Sequence, residues 1–160
     1  MTKLLNIDAN PKTIKGQKQG YMTAILYLSP SDSSGYQVCA MAKLAGCISG
    51  CLNVAGHGGM SKGNATFTAP NGLQLPDNAI QKARIRRTKL YFEDRTEFFN
   101  QLIVEIQKFI KKANNKGLIP VVRLNGTSDI AWENQKVNFQ GFTYSNIFEI
   151  FPKIQFYDYA

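Results

Sequence analysis

The chain has 160 residues, 44% of them hydrophobic and 11% aromatic, a composition that excludes a disordered chain and supplies a core for one domain. No apolar run approaches the roughly 18 residues needed to span a bilayer. Nineteen basic against eleven acidic residues leave a net charge of +8, which favours an anionic partner (nucleic acid, a nucleotide or a phosphorylated ligand) and equally serves solubility.

Met1 to Gly20 is polar and carries lysines, with no apolar stretch of signal-peptide type. No membrane association is expected, and the protein is assigned to a reducing cytoplasm. Within this segment Asn, Pro, Lys and Gly predict an irregular arm over residues 1–20. Tyr21 to Ser29 (YMTAILYLS) is β-branched, aromatic and aliphatic and predicts a strand. Pro30 to Gly35 reads as a loop. The segment Cys39 to Gly59 holds Gly46, Gly50, Gly56, Gly58 and Gly59 and predicts a wrapped loop, not a long helix. Residues 60–78, with two prolines, read as a long excursion.

Asn78 is placed to cap a helix running to Tyr91. Asp94 to Asn115 carries the strongest helical signal. Asp94 and Glu97 resemble a capping box, and Phe98, Phe99, Leu102, Ile103, Ile106, Phe109 and Ile110 form one apolar stripe. Gly117 is a natural stop. Leu118 to Asn125 (LIPVVRLN) suits a buried parallel strand, followed by a turn over residues 126–129. Ser145 to Phe151 predicts a short helix halted by Pro152, and Ile154 to Tyr159 a last strand. Alternating strands and helices imply one α/β domain over residues 1–160 with a parallel sheet. A closed eight-unit barrel takes about 250 residues, so the expected fold is a partial, open parallel barrel or sheet of βα units.

The three cysteines, Cys39, Cys47 and Cys51, fall within thirteen residues. A secreted disulfide scaffold would carry an even, dispersed set. Clustered thiolates bind an iron–sulfur cluster or zinc, and the intervening glycines would let the backbone wrap the metal. His57, the single histidine, lies six residues beyond Cys51 and could complete a zinc site. The alternative is three small buried side chains with no metal.

Two further groups attract attention. Arg123, Asn125, Ser128 and Asp129 lie at or past the end of a predicted parallel strand, where α/β sheets bind ligands. Arginine there can clamp a phosphate or carboxylate, Asp129 can accept from hydroxyls, and Glu133 adds a carboxylate nearby. The same residues also read as turn and cap chemistry. If Tyr21 to Ser29 runs parallel to this strand, the cysteine loop opens on the same rim. Lys82, Arg84, Arg86, Arg87 and Lys89 fall within eight residues and could contact nucleic-acid phosphates or form a solvated helix face, with Tyr91 and Phe92 available to stack or pack.

The strings GYMTAILYLSPSDSSG, CAMAKLAGCISGCLNVAGHG, ARIRRTKLYFEDRTEFF, GLIPVVRLNGTSDIAWE and FPKIQFYDY resemble the phage family called gene product 88. By a further, fold-level likeness, the cysteine loop, the arginine-bearing strand and the terminal FYDY look like parts of a radical S-adenosylmethionine barrel, with cysteine spacings of x7 and x3 in place of x3 and x2. That likeness implies a 4Fe-4S cluster on Cys39, Cys47 and Cys51 and a pocket for S-adenosylmethionine lined by Arg123, Asn125 and Asp129. Family members continue past FYDY, which implies a truncated member. Two functions are expected from these signs: an iron–sulfur protein acting on or binding a nucleotide or nucleic acid, or a non-catalytic phage accessory protein that binds nucleic acid through Arg84, Arg86, Arg87 and Lys89, with zinc or no metal.

Overall fold

The structure is a computed structural model that describes residues 2–8, 10–48 and 51–159. Gly50 of the expected cysteine loop and the two ends of the expected domain, Met1 and Ala160, lie outside them. In chain order the elements are β1 (Leu5–Ile7), α1 (Pro11–Lys18), β2 (Tyr21–Leu26), β3 (Thr66–Thr68), β4 (Gln74–Pro76), α2 (Ala79–Glu93), α3 (Arg95–Asn115), β5 (Ile119–Arg123), β6 (Val137–Phe139), β7 (Phe142–Tyr144), α4 (Ile147–Ile150) and β8 (Gln155–Phe156).

The central sheet has the order β1-β2-β5-β8. Strands β2, β5 and β8 are parallel, with Ile25 opposite Arg123 and Val122 opposite Phe156. β1 runs antiparallel to β2 at one edge. The sheet is therefore open and mixed, and the expectation of an all-parallel arrangement is corrected: β1 returns into β2 through a single short helix, whereas parallel neighbours need a longer crossover. The last strand is also shorter than Ile154 to Tyr159, because only Gln155 and Phe156 pair with β5.

Two other expectations change. The arm over residues 1–20 is ordered as β1 and α1. Asn10 caps α1 by accepting from the Thr13 N–H while the Thr13 hydroxyl accepts from the Asn10 N–H, and Pro11 occupies the first turn, where its missing N–H costs nothing. The 60–78 excursion contains the β3–β4 hairpin, in which Phe67 faces Leu75 across the pair. Its Pro70–Gly72 loop closes through the Gly72 N–H donating to Ala69 O, with Gly72 at φ 87°. A second hairpin joins β6 and β7 through Gln140 (φ 50°) and Gly141 (φ 79°), the two left-handed residues that a tight hairpin needs.

Both long helices form where their caps predict. Asn78 accepts from the Gln81 N–H and Asp94 from the Glu97 N–H. The Asp94 N–H itself donates to Leu90 O, so this residue ends α2 and starts α3. The α3 stripe is fully buried at Phe98, Leu102, Ile103 and Ile106. It packs with Met22, Ala24, Leu26, Val122 and Leu124 of one sheet face, joined by Trp132 and Val137. Burying each such side chain stabilises the fold by about 1.5–3 kcal/mol. Strand alternation sends Thr23, Ile25, Tyr27 and Arg123 to the opposite face, where α1, part of the cysteine loop, Arg84 of α2 and the chain past β8 meet. No helix of the described residues is long and apolar enough to cross a membrane.

Candidate functional site: a cationic pocket on the open sheet face

The open face holds a cavity of about 320 Å³ whose walls include Lys12 and Thr13 of α1, Thr23 and Tyr27 of the β2 segment, Arg84 of α2, Arg123 of β5, and Tyr157 and Tyr159 past β8. Its floor depends on Gly126: a Cβ there would sit 2.6 Å from Tyr27 Cδ1 and 2.7 Å from Leu26 O. Only glycine lets the chain leaving β5 press this closely on β2.

Arg84 is 8% exposed. Its Nη1 donates to Asn53 O at 2.8 Å and to Asn53 Oδ1, and its guanidinium lies 5.1 Å from the Tyr27 ring centre. Its Nε is buried without a hydrogen-bond partner. The ion pairs among the described residues are Lys82–Asp77 and Arg123–Asp158, so no carboxylate neutralises Arg84. Burial lowers the pKa of this guanidinium, which the nearby Tyr27 and Cys51 groups partly restore. A buried cation without an anionic partner is costly, and it lines a cavity.

Arg123 is better compensated. Its Nε donates to Asp158 Oδ1 at 3.4 Å, and its guanidinium stacks 4.3 Å from the Tyr159 ring centre. Burial raises the Tyr157 phenol, with Tyr159 adding to the effect and Arg123 opposing it. Lys12 is exposed on the first turn of α1, which contains no acidic residue; the positive end of that helix is therefore not offset locally.

The remaining predicted residues have other positions. Asn125 is buried and fully engaged: Nδ2 donates to Ile130 O and Asp158 Oδ2, while Oδ1 accepts from Trp132 Nε1, Ser128 Oγ and the Ile130 N–H. It organises the loop after β5, and Ser128 is one of its partners. Asp129 is exposed, and its N–H donates to Val38 O at 2.9 Å. Glu133 is exposed beside a smaller cavity of about 200 Å³ that also borders Asn125, Trp132 and Asp158.

The basic stretch is not a continuous solvated face. Arg87 is 8% exposed and donates to Lys3 O, Tyr27 O and Asn6 Oδ1; it ties α2 to the strand layer. Burial lowers its pKa too, opposed by Glu105. Arg86 is exposed and donates to Thr2 Oγ1, and Lys89 is half-buried. Helical period put Arg84 and Arg87 together on the inward side, so neither is free to track a phosphate backbone along α2.

The rims of the cysteine loop and the β5 loop do meet, as parallel β2 and β5 require. Cys39 Sγ lies 3.9 Å from Thr127 O. Burial raises the Cys39 thiol, the Ser31 N–H pulls it down, and Cys51 raises it again. Cys47 is exposed, with its thiol toward Ala45 O, and His57 is exposed. Among the described residues no group of three or more His, Cys, Asp or Glu side chains is arranged to hold a metal ion. The three sulfurs therefore do not fit a shared cluster in this arrangement. The loop glycines have a packing role instead: a Cβ on Gly58 would lie 2.5 Å from Asn53 O. That carbonyl is already held by Arg84 and by Gln81 Nε2, and Asn53 Nδ2 donates to Gln81 Oε1. Sequence alone did not single out Lys12, Tyr27, Asn53 or Gln81. The Asn10-Pro11-x-Thr13 cap could have exposed α1, and the alternation in FYDY could have paired Tyr157 with Tyr159.

A family model described as Gene product 88 matches residues 3–160. No curated protein and no solved structure matches the chain significantly.

Proposed function

The chain belongs to the phage gene product 88 family, and we propose that it binds a phosphorylated, nucleotide-type ligand in the cationic pocket of its open sheet face. The observation that carries this reading is Arg84, a buried guanidinium on the pocket wall with an unpartnered Nε and no carboxylate. Lys12 and Arg123 add positive charge, and a phosphate offers the oxygen acceptors that such groups bind. Thr13, Thr23 and Thr127 add polar side chains to the cavity lining. The cavity of about 320 Å³ lies at the compact end of the ligand-pocket range.

Calorimetric titration with pyrophosphate, nucleotides and short oligonucleotides tests it. At least one phosphorylated ligand should bind while the matching nucleoside does not, and Lys12→Ala should weaken binding several-fold without loss of fold. Arg84→Gln should weaken it further. Indifference of the protein to every phosphorylated ligand overturns the reading.

A second reading makes the loop cysteines ligands of an iron–sulfur cluster or zinc. It draws on the three cysteines falling within thirteen residues and needs their thiols to converge. Metal analysis of anaerobically purified protein decides it: bound iron with absorption lost in Cys47→Ala supports the cluster, zinc supports the structural alternative, and metal-free protein rejects both.

A further inference from the structure

We propose that the free edge of the central sheet, beside α3, docks an extended acidic peptide segment of another protein, which adds a strand to β1. This site is separate from the cationic pocket and does not depend on it. β1 is an edge strand and pairs within the sheet with β2 alone. The Asp8 N–H donates to Thr23 O, and Leu5 lies opposite Leu26. In an antiparallel ladder of that register Asp8–Thr23 and Asn6–Ile25 are the hydrogen-bonded pairs, so the N–H and C=O groups of Leu5 and Ile7 point away from β2. Two contacts agree with this. Leu26 O accepts from the Gly126 N–H, on the β5 side of β2. The Leu5 N–H donates to Glu105 of α3 at 2.8 Å. Glu105 also accepts from the Leu4 N–H, so its carboxylate closes the start of the outer edge. Beyond it, no hydrogen bond among the described residues fills the outer positions at Leu5 O, the Ile7 N–H and Ile7 O. Unpaired edge groups of this kind are the template on which an extended peptide adds a strand.

A groove of about 610 Å³ runs beside that edge, between β1 and α3. Ile7, Val104 and Phe109 give it apolar walls, and Lys3, Lys108 and Lys112 give it charge. Val104 is 39% exposed, and the three lysines are exposed. The ion pairs among the described residues are Lys82–Asp77 and Arg123–Asp158, so none of these lysines has a carboxylate partner there. Of the two acids on the lining, Glu97 and Glu105, Glu105 is already spent on backbone N–H groups. The charge left over is positive, and it selects an occupant with carboxylates set among apolar side chains. A second copy of the chain fits poorly. Self-pairing through this edge would set the same lysines against themselves on a chain of net charge +8. Lysine beside an edge strand is a common guard against self-association, and it is no obstacle to an acidic strand.

NMR titration of isotope-labelled protein tests the proposal with three blocked peptides of about six residues: one alternating Glu and Val, one alternating Lys and Val, and the Glu–Val peptide N-methylated throughout, which keeps charge and side chains and removes every donor. The Glu–Val peptide should shift the Ile7 and Val104 amide signals saturably and slow amide exchange at Ile7. The other two should bind at least about tenfold more weakly, one through like charge and one through loss of two or three ladder bonds. Lys108→Glu with Lys112→Glu, both at exposed positions, should weaken the Glu–Val peptide several-fold and favour the Lys–Val peptide. Lys153→Glu, just before β8 at the far edge of the sheet, should change neither. Equal binding of the N-methylated peptide shows charge attraction without strand addition and overturns the proposal. Signals that move at Arg84 and not at Ile7 place the peptide in the cationic pocket and overturn it. Ile7 signals that depend on protein concentration, with a dimer in sedimentation, make a second copy the occupant and overturn it. An Ile7 amide unmoved by about 1 mM Glu–Val peptide overturns it as well.

Discussion

Arg84 divides its guanidinium between two tasks. One nitrogen holds Asn53, and through it the cysteine loop, against α2; another, Nε, is buried without a partner, and the side chain lines a cavity. Removing the Asn53 side chain separates the tasks. Asn53→Ala strips a charge-assisted acceptor from Arg84 and a donor from Gln81, both buried, and should cost about 2–3 kcal/mol in urea unfolding. It should also speed alkylation of Cys51, which the anchored loop now restrains. Within the native loop, Cys47 should react with iodoacetamide before Cys39, because Cys47 is exposed and burial raises the Cys39 thiol away from its nucleophilic form. Peptide mapping after a short pulse reads both results. Asp158→Asn frees Arg123 from its carboxylate and should strengthen binding of a phosphorylated ligand a few-fold, measured by the same titration as the Lys12 variant.

At the scale of elements, caps decide where helices begin. Asp94 ends α2 with its N–H and begins α3 with its carboxylate, so the two helices share one residue as their corner. Asp94→Ala should cost about 1 kcal/mol and loosen both helix ends, seen as faster amide exchange at Arg95–Glu97. Its capping box is one-sided for the same reason, since the Asp94 N–H is already taken by Leu90 O. Where side-chain period is long and caps are present, as in α3, the element was legible from sequence. It was not where elements run for only three residues. The β3–β4 and β6–β7 hairpins carry Thr-Phe-Thr and Phe-Thr-Tyr alternations too short to stand above loop composition, and Gln140-Gly141 is a rarer turn signal than Asn-Gly.

For the whole molecule, one sheet face is sealed by α3 and the other carries α1 and the cationic cavity. Ile106 lies fully buried in the sealed layer, and Ile106→Ala should cost about 2–5 kcal/mol by the cavity it leaves. Alkali should act on the same core. Burial raises the Tyr91 phenol, with Arg95 opposing it, and the ring packs against Phe98 and Trp132. A phenol whose folded value is raised ionises first in the unfolded chain. Its contribution is complete below about pH 10 and is lost as pH climbs through the raised folded value. Denaturant midpoints should therefore hold to about pH 10 and fall above it, and Tyr91→Phe should flatten that fall.

Local information was enough for some features. The α3 stripe, the Asn78 and Asp94 caps, the strands near Tyr21 and Leu118, and the β–helix–β order all follow from residue period and capping chemistry within a few turns of chain. The family likeness was equally legible, because it rests on strings of neighbouring residues. Tertiary structure decided the rest. It set β1 antiparallel, turned Arg87 inward onto backbone carbonyls, spent the Asn125 amide on its own loop and left three sulfurs unconverged. It also brought Lys12, Arg84 and Arg123, each distant from the others in sequence, to one cavity. Periodicity says which side of an element is apolar; it does not say which elements pack there, and whether a cation is paired or left facing a cavity depends on that packing alone.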